Sequence, residues 1–180
     1  KNSIKINNKF EDPIKNLYSI CLRRNNYKDL LFYAKKLLEI DKLNHQYTYQ
    51  LAYALELNND LNAAVKHYEI YLESGGREPK KALNNIGSVY LRRNKPKIAL
   101  DYFLKAIDHG EDKIILNNTL KCYLKLRDIN NFDIFLNKAK KVDENFIEFI
   151  FNKAEYLILK NEINEAINIL KANKDKPKFL

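Results

Sequence analysis

The sequence is poor in the residues that interrupt a chain or cross-link it. Its 180 residues include four glycines, four prolines and two cysteines. Cys21 and Cys122 have a hundred residues between them, which excludes a disulfide scaffold. The scarcity of glycine and proline, in a chain rich in leucine, isoleucine, alanine, lysine and glutamate, predicts helices joined by short turns.

Long hydrophobic runs are also missing. The most apolar stretch, around residues 146–151, is interrupted by charge well before the roughly 20 apolar residues that a membrane helix needs, so we expect no membrane span in this sequence. A composition of 46% hydrophobic and 31% charged residues predicts a folded globular protein. The 32 lysines and arginines exceed the 23 aspartates and glutamates and give a net charge of +9, which favours acidic partners.

The sequence lacks an initial methionine and an export signal. We therefore expect a processed chain or a piece of a longer protein. The sequence does not determine the compartment. The alternatives are a cytoplasmic protein, or a periplasmic or membrane-anchored one if an N-terminal export signal has been removed.

An internal repeat organises what is present. Five amides follow one another at separations of 34, 35, 33 and 34 residues, and we call them the amide series: Asn16, Gln50, Asn85, Asn118 and Asn152. A tight polar turn follows each of them at a constant distance, at residues 24–26, 58–60, 93–95, 126–128 and 160–162. Two amphipathic helical patterns flank each turn, so each repeat predicts one helical hairpin.

The period divides the chain. Five repeats form one predicted domain over residues 11–180, at 11–44, 45–79, 80–112, 113–146 and 147–180. Residues 1–10 show no clear period and predict a tail or part of a preceding helix. The turn asparagines Asn25, Asn59, Asn94 and Asn161 suit the left-handed cap that ends a helix, and Pro96 suits the first position of the next helix.

Each repeat resembles a tetratricopeptide repeat. Repeat 3 carries the pattern most clearly, with Leu83, Ile86, Gly87 and Tyr90 in its first helix and Ala99, Phe103 and Ala106 in its second. Tyr18 and Leu30 in repeat 1, and Leu120 and Phe132 in repeat 4, depart from the small residues that the family prefers at these positions. The resemblance implies an all-α fold, a right-handed α-solenoid of stacked antiparallel helix pairs.

Residues suited to catalysis do not converge in this pattern. His45, His67 and His109 fall at the start, middle and end of different helices, without partners at metal spacing. Gly75-Gly76 lacks the strand and the Lys-Ser or Lys-Thr of a phosphate loop. We therefore predict no catalytic residue, no metal and no cofactor, and we expect a protein that is not an enzyme.

The resemblance implies that the first helix of each repeat lines the concave side of the solenoid. The amide series would then lie there and bind an extended backbone, because an amide both donates and accepts hydrogen bonds. An alternative of equal weight is that these amides bond neighbouring helices. Further residues predicted for this peptide-binding groove are Tyr49, Tyr53, Lys81, Asn84, Arg92, Asn117, Lys121 and Lys125.

The favoured function is a non-catalytic protein-protein interaction module, a scaffold or adaptor that binds an acidic, extended or helical segment of another protein. Two alternatives are an RNA-binding helical-repeat protein, given a pI of about 9.3, and the recognition domain of a larger enzyme. We do not expect nucleic acid, because the basic residues are spread over all helix faces. No polar capping helix follows the last repeat, so the uncapped ends offer a route to self-association.

Overall fold

A computed structural model describes the backbone of residues 2–143 and 146–174, and the side chains from Phe10 onward within those ranges. The described residues form ten α-helices and no strand. The helices are α1 (Asn2–Arg23), α2 (Tyr27–Ile40), α3 (His45–Leu57), α4 (Leu61–Glu73), α5 (Pro79–Arg92), α6 (Pro96–Asp108), α7 (Lys113–Leu126), α8 (Ile129–Val142), α9 (Ile147–Leu159) and α10 (Ile163–Ala172). The all-α class of helical hairpins predicted from the sequence is confirmed.

The turns inside the hairpins explain where each first helix ends. Asn25, Asn59, Asn94 and Asn161 all have a positive φ, between 54° and 64°, as predicted from their tolerance of the left-handed conformation. The residue after each of them donates its backbone N–H to the carbonyl five residues earlier, at 2.8 to 3.0 Å. This is the Schellman bond that closes a helix at its C-terminus.

Repeat 4 closes its turn with a less suitable residue. Arg127 has φ 55°, and Asp128 donates its backbone N–H to the Tyr123 carbonyl at 3.0 Å. An arginine side chain crowds the backbone in this conformation, and only glycine, or less often asparagine or aspartate, adopts it at low cost. The repeat therefore imposes the turn geometry where the local sequence does not favour it.

The same turns start the second helices. Asn26, Asp60 and Asp128 accept a hydrogen bond from the backbone of the first helical turn that follows each of them, which satisfies N–H groups that have no partner within the helix. Pro96 is the first residue of α6, as the sequence predicted. One short polar segment thus ends one helix and begins the next, and the hairpin follows from local chemistry.

The N-terminal end of the chain is helical from Asn2 onward. Residues 1–10 were expected to form a tail or part of a preceding helix, but α1 runs without interruption from Asn2 to Arg23, through Pro13. A helix that already continues into a packed hairpin can extend by adding one backbone bond per residue. Lys1 lies outside the described residues.

The chain divides into two compact units, Lys1–Ala82 and Leu83–Leu180, here called the N-terminal and C-terminal halves. The division falls inside α5, in repeat 3. Such a division is compatible with a repeat protein, because each hairpin packs only on its neighbours.

Each half has a core of aromatic side chains, leucines and alanines. In the N-terminal half Tyr68 and Tyr71 are buried with Leu30, Ala34 and Ala64. In the C-terminal half the buried cluster joins residues of α7 to α10, namely Leu116, Leu120, Tyr123, Leu124, Phe132, Leu136, Ala139, Phe149, Ala154, Tyr156, Leu157 and Ala166. One hairpin could not bury these faces alone, so stacking of hairpins supplies the stability.

Candidate functional site

The five residues of the amide series lie on the five first helices, but in different environments. Asn16 on α1 is exposed, Gln50 and Asn85 are half-buried on α3 and α5, and so is Asn118 on α7. Asn152 on α9 is buried. The series therefore follows the period of the sequence without forming one uniformly exposed surface.

In the C-terminal half the amides join consecutive first helices. Nδ2 of Asn152 donates to Oδ1 of Asn117 at 2.6 Å and lies 3.4 Å from the Asn117 carbonyl oxygen. Nδ2 of Asn118 donates to Oδ1 of Asn84 at 3.2 Å. A paired amide inside a packed interface holds the register between two helices, because an unpaired one would cost the desolvation of its polar atoms.

This arrangement corrects the sequence prediction for two residues. Asn117 and Asn152 were predicted to line an exposed groove, but both are buried and bonded to each other. They lie between two consecutive hairpins and are about 4 to 5% exposed, so they offer little surface to a ligand. For this pair the alternative interpretation, that the amides bond neighbouring helices, describes the structure.

A basic surface accompanies the remaining amides of the C-terminal half. Arg92 and Lys125 are exposed at the C-terminal ends of α5 and α7, and Lys121 is half-buried one turn earlier. Nζ of Lys125 lies 3.5 Å from Oδ1 of Asn94. Neither α5 nor α7 contains an aspartate or a glutamate. We call Asn84, Asn85, Arg92, Asn118, Lys121 and Lys125 the α5/α7 surface.

The groove residues predicted in the N-terminal half already contact neighbouring side chains. Nζ of Lys81 lies 2.5 Å from Glu78 Oε1. The Tyr49 ring packs edge-on against Tyr68 and Tyr71 at 5.5 and 5.3 Å between ring centroids. Tyr53 is half-buried, and burial, with smaller effects of Glu56 and Tyr27, raises the pKa of its phenol. Tyr49 thus contributes to the packing between α3 and α4.

A polar cluster between α1 and α3 was not predicted from the sequence. The Tyr47 hydroxyl donates to Glu11 Oε1, and Nζ of Lys15 lies 2.6 Å from the same oxygen. The hydrogen bonds from Lys15 and Tyr47 lower the pKa of the Glu11 carboxyl. The four-residue spacing of Glu11 and Lys15 on one helix would have indicated their pairing, whereas nothing local indicates Tyr47.

Two cavities of the N-terminal half were likewise not predicted. One of about 570 Å³ is bounded by polar groups that include Asn44, Arg77 and Glu78. The other, of about 400 Å³, is mainly apolar and lies between α2, α3 and α4, beside Leu38 and Leu51. Side chains from three helices line the second one, so only their packing creates it.

The histidines and cysteines belong to different elements of the chain. His45 Nδ1 is 3.1 Å from Ser74 Oγ, His67 lies on α4, and His109 follows the last residue of α6. Cys21 and Cys122 are buried free thiols, and burial raises the pKa of Cys122 to about 12. Within the described ranges, no three histidine, cysteine, aspartate or glutamate side chains form a group that could hold a metal ion.

No helix in the described part of the chain has the length and the apolar character that crossing a membrane would require.

Comparison by sequence identifies no relative, since no protein-family model and no curated protein matches the chain. Solved structures match it closely in fold. MamA (41-end) from Desulfovibrio magneticus RS-1 is similar with a TM-score of 0.81 at 18% identity, over 93% of this chain and 97% of that one.

Two further solved structures are described as tetratricopeptide repeat proteins. YrrB, described as a TPR protein with an unusual peptide-binding site, has a TM-score of 0.73 at 19% identity, over 99% of this chain and 92% of that one. A tetratricopeptide repeat protein from Parabacteroides merdae ATCC 43184 has a TM-score of 0.81 at 15% identity, over 93% and 68% of the two chains. The chain therefore has the tetratricopeptide-repeat fold that the period and the hairpins indicate.

Proposed function

We propose that this protein is a non-catalytic interaction module that binds an acidic segment of another protein on the α5/α7 surface. The observation that carries the proposal is the charge of this surface. Arg92, Lys121 and Lys125 lie on two helices without a single carboxylate, and among the described residues Lys121 and Lys125 form no salt bridge. A repeat fold presents such a surface on rigid helices, which suits recognition of a polypeptide.

The amides of this surface supply the second part of the proposal. Asn118 and Asn84 are half-buried and bonded to each other, so their orientation is fixed before a ligand arrives. An amide retains bonding capacity beyond one hydrogen bond. We infer that Asn118 binds the backbone of the segment while the cations select its charge.

The neighbouring helix α9 limits where the segment lies. Glu155 is exposed at the position of α9 that corresponds to Lys121 of α7. An acidic ligand that extended over α9 would meet this like charge, and like charges placed together are unfavourable. The proposed segment therefore lies along α5 and α7.

The test begins with capture. The purified protein is used to capture partners from a lysate with and without nuclease treatment, and the bound polypeptide is identified by mass spectrometry. An acidic polypeptide retained after nuclease treatment supports the proposal. If binding disappears with the RNA, the alternative of an RNA-binding helical-repeat protein replaces it.

Charge reversal then locates the site. In titrations with the captured polypeptide or a synthetic acidic peptide derived from it, the double variant R92E/K121E should bind at least about tenfold more weakly, mainly through a slower association rate. The matched control K97E/K140E changes the net charge equally on α6 and α8, where both lysines are exposed, and should bind as the original protein does. Equal losses in both double variants would mean that only the net charge matters, and would remove the α5/α7 surface from the proposal.

The salt dependence of binding distinguishes the contribution of the charges from that of Asn118. Exposed charges are screened over about 8 Å at physiological ionic strength, so the affinity of the original protein should fall as salt rises. N118A should weaken binding by a similar factor at every salt concentration, because it deletes a hydrogen-bonding group worth roughly 0.5–1.5 kcal/mol.

A further inference from the structure

The interface between repeats 4 and 5 shows how one hairpin receives the next. Tyr156 of α9 stacks on Phe132 of α8, with 4.4 Å between ring centroids, and its hydroxyl donates to Asp133 at 2.5 Å. Asn152 of the same helix bonds Asn117 of α7. The side of α9 that carries Asn152 and Tyr156 is therefore the side that meets the preceding hairpin.

The corresponding side of α1 is exposed and includes apolar residues. Tyr156 lies four residues after the amide of its repeat, and the residues at the same position of repeats 2, 3 and 4 are Ala54, Val89 and Cys122. These four side chains are between 0 and 3% exposed. In repeat 1 the position holds Ile20, which is 37% exposed. We call the surface formed by Leu17, Ile20 and Arg23 of α1 the leading face.

A second exposed face lies on repeat 5. Leu124, six residues after the amide of repeat 4, is 6% exposed in the core with Tyr156 and Leu157, whereas Ile158 at the same position of repeat 5 is 55% exposed. The position of Asp133 holds Ile167 in repeat 5, and Ile167 is 41% exposed. Ile163 lies one turn before Ile167 on the same side of α10 and is also exposed. We call Ile158, Ile163 and Ile167 the trailing face.

These two faces are the two halves of one repeating interface. Ile20 of the leading face corresponds to Tyr156, which α9 buries against α8. Ile158 and Ile167 of the trailing face correspond to Leu124 and Asp133 of repeat 4, the repeat that packs against α9. The trailing face is apolar, the leading face joins Leu17 and Ile20 to Arg23, and exposed apolar patches mark interaction sites. A partner that fits the trailing face must offer the leading side of a helical hairpin, and this chain itself carries such a side.

We propose that copies of this chain associate head to tail, with the trailing face of one copy on the leading face of the next. In this register Ile20 of one copy packs against Ile167 of the other, at the position where Tyr156 meets Asp133 within the chain. The contact between Lys125 and Asn94, at 3.5 Å, corresponds to one between Arg23 of one copy and Asn161 of the other.

The exposed side of Ile20 has room for this contact. Ile20, Arg23 and Arg24 bound a cavity of about 320 Å³. The two faces differ from each other, so the contact is heterologous and propagates into an open chain or closes into a ring. The association does not use the α5/α7 surface and is independent of the proposed peptide binding.

Complementation tests the proposal. Sedimentation velocity over a wide concentration range should show that the original protein forms a series of oligomers. I20D and I167D should each abolish the series, because each places a charge in one half of every contact. An equimolar mixture of the two variants should form a discrete heterodimer, since I20D retains an intact trailing face and I167D an intact leading face.

The controls keep the test decisive. I134D changes an isoleucine on α8 that is more exposed than Ile20 and Ile167 and should leave the oligomers unchanged, and circular dichroism checks that all variants fold. A chain that is monomeric at every concentration would overturn the proposal and leave the two faces to another helical protein. A dimer that survives both single variants, or a mixture that stays monomeric, would equally exclude the head-to-tail contact.

Discussion

A methyl group placed on Gly87 of α5 would lie 2.6 Å from Cε1 of Phe103 on α6. The Phe103 side chain is fully buried, so the ring has no open space into which it can move. The hairpin of repeat 3 thus brings its two helices into close contact at Gly87.

We expect G87L to lower the free energy of unfolding by about 1–3 kcal/mol, because it forces side-chain atoms into a filled core. G87A should also destabilise, although alanine favours a helix by roughly 1 kcal/mol over glycine. Urea denaturation measures both variants.

A double-variant cycle checks the cause. F103L shortens the side chain that the new methyl group would meet, so G87A/F103L should lose less stability than the sum of the two single changes, with a coupling of about 0.5–3 kcal/mol. Additive effects would show that the contact with Phe103 is not what limits this position.

The second prediction concerns the left-handed turn of repeat 4. R127G should raise the free energy of unfolding by about 0.5–1 kcal/mol, because glycine has no Cβ to crowd the backbone at φ 55° and this relief exceeds the entropy that glycine loses on folding. The matched variant N94G, at the same position of repeat 3, should gain less, since asparagine already tolerates the conformation. Thermal unfolding would contradict the prediction if R127G melted at a lower temperature than the original protein.

The third prediction distinguishes the members of the amide series. N152A should destabilise by about 1–3 kcal/mol, because it leaves Oδ1 of the buried Asn117 without its donor. N16A, in an exposed position of repeat 1, should change stability by less than about 0.5 kcal/mol. Similar losses in the two variants, measured by urea denaturation, would mean that burial does not separate their roles.

The fourth prediction is a pH dependence that arises from His67. Burial, and to a smaller extent the charge of Lys66, lowers the pKa of His67 below its ordinary value of 6.5. The unfolded chain therefore binds this proton more readily than the folded protein. The contribution of His67 to stability is complete above about pH 6.5 and falls as the pH decreases through the lowered pKa.

H67L should accordingly reduce the loss of stability between pH 7.5 and pH 5.5, whereas H109Q, at an exposed position, should leave it unchanged. The charged groups that line the cavity beside His67 are Lys35, Glu39 and Lys42. Chemical denaturation at the two pH values measures this loss of stability, and an H67L profile identical to the original would exclude His67 as its source.

The sequence by itself determined the helical hairpins and their period. Asn25, Asn59, Asn94 and Asn161 end the first helices through a conformational preference of their own backbone, and such preferences act within a few residues. Pro96 likewise begins α6 because its ring fixes one dihedral angle. These features do not depend on distant parts of the chain and could be predicted from it.

Only the tertiary structure decided which of the equivalent residues in the five repeats are buried. Asn16 and Asn152 occupy the same place in their repeats. Asn152 packs against the preceding hairpin and is buried, whereas Asn16 in repeat 1 is exposed. The bond between Tyr47 and Glu11 joins residues on different helices, and Arg127 adopts a turn that its own side chain disfavours. Burial and contacts between helices depend on which hairpin lies alongside, because each repeat completes its core with its neighbours.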